Sequence, residues 1–188
     1  MRLVWMIGLL FTTSVEAKTA EEAEYDRLVS EMTQLSKSQT WSAVNKRFLE
    51  MEKLGLEIAA AEWLLAAQAA QGVGDMYSAK ERVTAALLLK EKKSTRKWYN
   101  QLNTEYGQVT LIAKSKGNRT LTRVDMSMDP IQGQAVTYAQ DLLSKKGEFK
   151  GLLPVGDYDF GGQKFSVKAD MDIHLEISPK LRRKLTGE

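Results

Sequence analysis

The segment from Trp63 to Ala86 places large and small residues at offsets that leave little choice of fold: Trp63, Ala67, Ala70, Gly74, Ala79, Val83 and Ala86. Residues three and four apart share one face of a helix, so each half of the segment carries an apolar stripe that is also narrow. Helices that face each other through alanine approach more closely than the usual interaxial distance of about 8–10 Å. Gly72-Val73-Gly74-Asp75 breaks the pattern and supplies a turn. The segment therefore predicts two antiparallel helices, Glu57 to Gln71 and Asp75 or Met76 to about Lys92.

The flanking sequence extends the helical region in both directions. Tyr25, Leu28, Val29, Met32 and Leu35 recur at helical spacing behind Thr19 and Glu22, a pair able to form a capping box. Trp41, Val44, Phe48, Met51 and Leu54 predict a second helix, opened by Thr40 and stopped by Gly55. A fifth helix is expected from Ser94 to Tyr106, capped by Ser94 or Thr95 and carrying Trp98, Leu102 and Tyr106. After Gly107 the period falls to two. Val109, Leu111 and Ala113 alternate, and Lys116-Gly117-Asn118 offers turn chemistry before Leu121, Val124, Met126 and Met128, so a hairpin is expected there. Gln132 to Lys146 reads as a helix closed by Gly147. Three extended pieces follow: Glu148 to Leu153, Asp157 to Val167 folded at Gly161-Gly162, and Met171 to Ile177. The fold class expected is α+β, with α-helical hairpins over 18–106, an antiparallel β-sandwich with an inserted helix over 107–178, and a basic tail over 179–188.

The first residues bear on compartment. Met1-Arg2, the apolar run Leu3 to Phe11 and the small-residue pattern Val15-x-Ala17 have the order of a secretory leader, with cleavage near Ala17. The run is shorter than the roughly 20 residues a spanning helix needs. The chain has no cysteine, which rules out disulfides and thiolate metal sites. An exported domain without disulfides fits a bacterial periplasm best, so a periplasmic or secreted location is expected. Hydrophobic residues at 43% and charged residues at 27% exclude wholesale disorder and a multispanning protein.

Against the tetratricopeptide repeat, Trp63 falls at the bulky first-helix position, Ala67 and Ala70 at the small ones, Gly74-Asp75 at the turn, and Ala79, Val83 and Ala86 on the second helix. The region resembles that family, with one well-matched unit and a looser first hairpin in which Val44 stands where a small residue is usual. The resemblance implies a groove that binds a protein or peptide. In the second half, Gly107-x-Val109-x-Leu111, Leu153-Pro154-x-Gly156-x-Tyr158-x-Phe160 and Phe165-x-Val167 resemble the secreted β-sandwich modules called PEGA or transthyretin-like. Pro154 fixes φ, and Tyr158 and Phe160 then alternate toward a core. Uncharacterised secreted bacterial proteins share this layout of helices followed by a sandwich.

Chemistry is sparse in the sequence. His174 is the sole histidine, so a site with two imidazole ligands is excluded, and no Gly-x-Ser-x-Gly elbow is present. Asp157, Asp159, Asp170 and Asp172 lack EF-hand spacing and read as solvated strand faces. Gly72-x-Gly74 joins helix to helix and is no dinucleotide fingerprint. The reading is a non-enzymatic adaptor or scaffold with no cofactor and no metal, which binds another envelope protein and contributes to assembly or maintenance of an envelope complex. Asn45, Lys46 and Glu50 on the second helix and Gln68 and Gln71 on the third are the polar positions assigned to its groove. The rival reading is a module that binds cell-wall glycan or a membrane surface through Lys92, Lys93, Arg96 and Lys97, with the helices as support. Export argues against nucleic acid as the partner.

Overall fold

A computed structural model describes residues 18–115, 119–125 and 129–177. The expected leader, the Lys116-Gly117-Asn118 turn, Met126, Met128 and the basic tail lie outside the described residues. Five helices come first: α1 (Ala20–Lys37), α2 (Trp41–Glu52), α3 (Ala60–Val73), α4 (Met76–Leu89) and α5 (Lys93–Glu105). Then follow β1 (Tyr106–Ala113), β2 (Leu121–Arg123), α6 (Pro130–Lys146), β3 (Glu148–Pro154), β4 (Gly156–Phe160), β5 (Gln163–Val167) and β6 (Asp172–Ile177). The fold is α+β. No described helix is long and apolar enough to cross a membrane.

Local chemistry accounts for several helix ends. Thr19 and Glu22 close a reciprocal capping box on α1, and the Asp75 carboxylate accepts from the Ser78 amide at the start of α4. Two expected caps are corrected. Thr40 precedes α2, but its hydroxyl lies 3.0 Å from that of Ser38 and makes no cap bond. Helix α5 begins one residue early behind Lys92, again with no side-chain cap, and Thr95 is buried inside it.

The strands form two three-stranded sheets, ordered β3-β1-β6 and β2-β4-β5. Two expectations fail here. The segment after Ala113 does not return as a hairpin partner: β1 pairs antiparallel with β3 from Tyr106↔Pro154 to Ile112↔Glu148, while β2 pairs with β4 in the other sheet. The three-residue β2 is too short to match the full length of β1, and β3 is not. Nor are the sheets purely antiparallel, because β6 runs parallel to β1 from Gln108↔Asp172 to Ala113↔Ile177. After β5 the chain crosses between sheets and enters β6 at the end where β1 begins, with the Gln108 amide donating to the Met171 carbonyl at 3.0 Å. Parallel pairing requires such a crossover.

Three cores result. One joins α1, α2 and α3 around Leu28, Met32, Phe48, Met51, Ala66 and Ala69. A second joins both sheets and α6 around Val109, Leu111, Leu143, Phe149, Leu153, Tyr158 and Phe160. The third, Ala67, Met76, Val83, Leu102, Tyr106, Ala135 and Leu152, draws on both halves and seals them together. Helix α5 passes into β1 between Glu105 and Tyr106 with no intervening residue.

Candidate functional site

The alanine-rich hairpin does what its spacing implies. Ala66, Ala67, Ala69 and Ala70 on α3 and Ala79 and Ala86 on α4 are fully or almost fully buried. Gly74 ends α3 at φ +89°, and a side chain there would stand 2.5 Å from the Gln134 carbonyl oxygen. Only glycine accepts both the left-handed backbone and that approach. Gly72 has no room either, because its face lies against the Trp41 indole. The turn itself is occupied by α6: Gln134 donates to the Gly72 carbonyl, and the Tyr138 hydroxyl donates to the Asp75 carboxylate at 3.2 Å. Burial pushes the Tyr138 hydroxyl up to about 12, with the Asp75 charge and hydrogen bond adding to the shift.

Beside this hairpin lies a buried cation that sequence reading missed. Arg82 is 7% exposed, and its Nη1 donates to Asn45 Oδ1 at 2.6 Å and to the Ala66 carbonyl at 2.8 Å. The guanidinium carbon stands 4.4 Å from the centre of the Phe48 ring. One side chain thus ties α2, α3 and α4. Burial holds Arg82 below the usual arginine range, while the charges of Glu52, Asp75 and Glu81 act in the opposite sense.

The groove positions expected from sequence differ in their surroundings. Asn45 is spent on Arg82, and Glu50 accepts from Arg47 at 2.6 Å. Lys46 and Gln68 are exposed and Gln71 is half-buried. None of these five lines the cleft beside α4.

That cleft runs between α4 and the β3-β1-β6 sheet. Its outer part, about 470 Å³, is lined by Tyr77, Lys80, Glu81, Thr84, Leu88 and the strand residues Gln108 and Leu152. Its inner part, about 170 Å³, adds Asn103, Asp170 and Asp172 and shares Lys80, Gln108 and Leu152 with the outer. Residues 77, 80, 81, 84 and 88 form the stripe of α4 opposite its buried one, so Tyr77 and Leu88 on an outward face were the signal available in the sequence. The Lys80 amine is half-buried and makes no ion pair among the described residues. Gln108 donates to Asp172 at 3.2 Å, which sets the acidic end of the cleft. Its outer part sets Tyr77, Leu88 and Leu152 beside Lys80, Glu81 and Gln108, and its inner part is mainly polar, with Asn103, Asp170 and Asp172.

The second predicted surface falls at the α4–α5 turn and the start of α5. Lys92, Lys93 and Lys97 are exposed on the α4–α5 turn and the first turns of α5, whereas Arg96 donates to Glu91 at 2.8 Å. Trp98 and Tyr99 turn inward and are half-buried. His174 is exposed on β6 between Asp172 and Glu176. Asp157 and Asp159 serve the strands: Ser166 donates to the first, and the Gly162 amide to the second at 2.8 Å. Among the described residues no three acids or histidines converge as a metal site requires. The chain matches no family model, no curated protein and no solved structure.

Proposed function

We propose that this protein is an exported, non-enzymatic adaptor that holds an extended segment of another envelope protein in the cleft between α4 and the β3-β1-β6 sheet. The observation that carries the reading is the outward stripe Tyr77, Lys80, Thr84 and Leu88 standing over Leu152 and Gln108. Apolar contacts along the walls would supply affinity, and Lys80 and Asp172 at fixed positions would set polarity and register. In this reading α1–α4 are two tetratricopeptide-like hairpins, supported by the buried alanine stripe and the left-handed Gly74 turn. The two sheets with their inserted helix are a PEGA-like sandwich, supported by the Leu-Pro-x-Gly-x-Tyr segment, in which the Tyr158 hydroxyl donates to the Pro154 carbonyl at 2.8 Å.

A photo-crosslinking amino acid placed in the native cell at Tyr77, Lys80 or Thr84 tests the site. The expected result is one discrete envelope-protein adduct shared by these positions and missing at Gln68 and His174. Equal labelling at all five positions, or a chain retained uncleaved in the cytoplasm, would overturn the reading.

A further inference from the structure

Helix α4 ends in Leu87-Leu88-Leu89. Neighbouring residues on a helix point about 100° apart, so three leucines in a row cannot share a face. Leu87 packs against the core beside Trp98 and Tyr99, which leaves Leu88 85% and Leu89 48% exposed. One exposed leucine is ordinary, but here two stand side by side where the chain turns between helices. Lys90, Lys92, Lys93 and Lys97 follow them in the chain over the turn and the start of α5, all exposed and none in an ion pair among the described residues. The only acid between Leu88 and Tyr99 is Glu91, and it is taken by Arg96.

From this arrangement we infer that the α4–α5 turn seats the protein on an anionic phospholipid bilayer. Leu88 and Leu89 enter the boundary between headgroups and acyl chains, and the exposed lysines that follow them meet the lipid phosphates. Mobile lysines with no fixed hydrogen-bond geometry suit a diffuse negative surface better than a defined constellation of carboxylates. Two leucines at the apex add the apolar area that a purely electrostatic contact lacks. The inference goes beyond the adaptor reading, since it concerns what the protein rests on rather than what it holds.

Co-sedimentation of the full chain with phosphatidylglycerol/phosphatidylethanolamine vesicles, against phosphatidylcholine vesicles, tests it. All variants share the same chain ends, so differences between them report on the turn. Wild type is expected to pellet with the anionic vesicles alone. Leu88→Ser with Leu89→Ser should lower that affinity about tenfold or more. Lys92→Gln, Lys93→Gln and Lys97→Gln together should lower it on the order of a hundredfold at low salt, and by less at high salt. Leu88→Ser alone changes the most exposed leucine and repeats the test should the double variant fold poorly. Equal binding to both vesicle types overturns the inference. So does anionic binding that depends on the lysines but not on the leucines, because that describes contact with a polyanion such as cell wall, without insertion. A crosslink at Tyr77 that survives Leu89→Ser, a change outside the cleft lining, separates this result from the fate of the cleft.

Discussion

Each half of the molecule is pinned by an arginine, and the two are satisfied in opposite ways. In the helical half Arg82 has only neutral acceptors, Asn45 Oδ1 and the Ala66 carbonyl, with the Phe48 ring beneath it. In the sheet half Arg123 grips Asp125 with two bonds of 3.1 and 3.0 Å, and also donates to Gln132 and to the Val155 carbonyl, both at 2.9 Å. Its guanidinium lies 5.9 Å from the Tyr158 ring. The difference follows from packing. At the crossing of α2, α3 and α4 the buried guanidinium meets an amide and a backbone carbonyl, whereas the corner between β2, β4 and α6 is open enough for Asp125 to stay half exposed. A buried cation with neutral partners is costly to disturb but blind to acid, while an ion pair at a surface corner is the reverse.

Arg82→Ala should have the largest effect, a loss of about 3 kcal/mol in urea unfolding, because it strands the Asn45 amide oxygen, removes the bond to the Ala66 carbonyl and uncovers Phe48. Arg123→Ala should cost roughly 2 kcal/mol, since water can reach the freed Asp125. Were the two losses equal, the contrast between the halves would be wrong.

Acid sharpens the comparison further. The Arg123 hydrogen bond holds the Asp125 carboxyl below its ordinary value of 3.8. A depressed carboxyl contributes stability that is present above pH 3.8 and is lost as the pH falls through the folded value. Asp125→Asn should abolish that acid-dependent loss, and Arg82→Ala should leave it unchanged. Asn45→Asp should transplant the behaviour, adding an acid-sensitive contribution of about 1 kcal/mol beside Arg82. Titrated unfolding curves of the three variants decide each point.

The smallest expected effect belongs to the junction. Tyr138→Phe removes one hydrogen bond to Asp75 and should cost about 0.5–1 kcal/mol at neutral pH. In alkali the hydroxyl, raised from 10.0 to about 12, gives stability that is present below pH 10.0 and lost as the pH rises through about 12. Burial shifts Tyr106 and Tyr158 upward as well. The phenylalanine variant should therefore lose less stability across that interval than wild type, as followed by tyrosinate absorbance and circular dichroism.

What could be read from the sequence was what local chemistry decides. The Thr19–Glu22 cap, the left-handed Gly74, the alanine stripe and the alternation of Val109, Leu111 and Ala113 all act within a few residues, so spacing reveals them. Partner choice between distant segments is different. Nothing in Asp172–Ile177 says that it lies parallel to β1, because a strand's alternation fixes its faces and not its neighbour. Arg82 was missed for the same reason: a helical arginine normally reads as solvated, and only the crossing of α2, α3 and α4 buries it. The cleft stripe Tyr77, Lys80 and Thr84 was visible on a wheel of α4, but the sheet that walls it arrives from elsewhere in the chain. For Asn45 and Glu50, polarity marked residues able to bond, without telling that they bond to Arg82 and Arg47 within the chain.

The direct passage of α5 into β1 has a mechanical consequence. With no slack residue between Glu105 and Tyr106, and with α6 wedged under the α3–α4 turn, the α5–β1 junction lacks a swivel. Whatever fixes the Lys90–Lys93 corner also fixes the tilt of β1, and with it the direction in which the cleft opens. Orientation is transmitted through the body as in a bracket, so tethering one corner aims the rest.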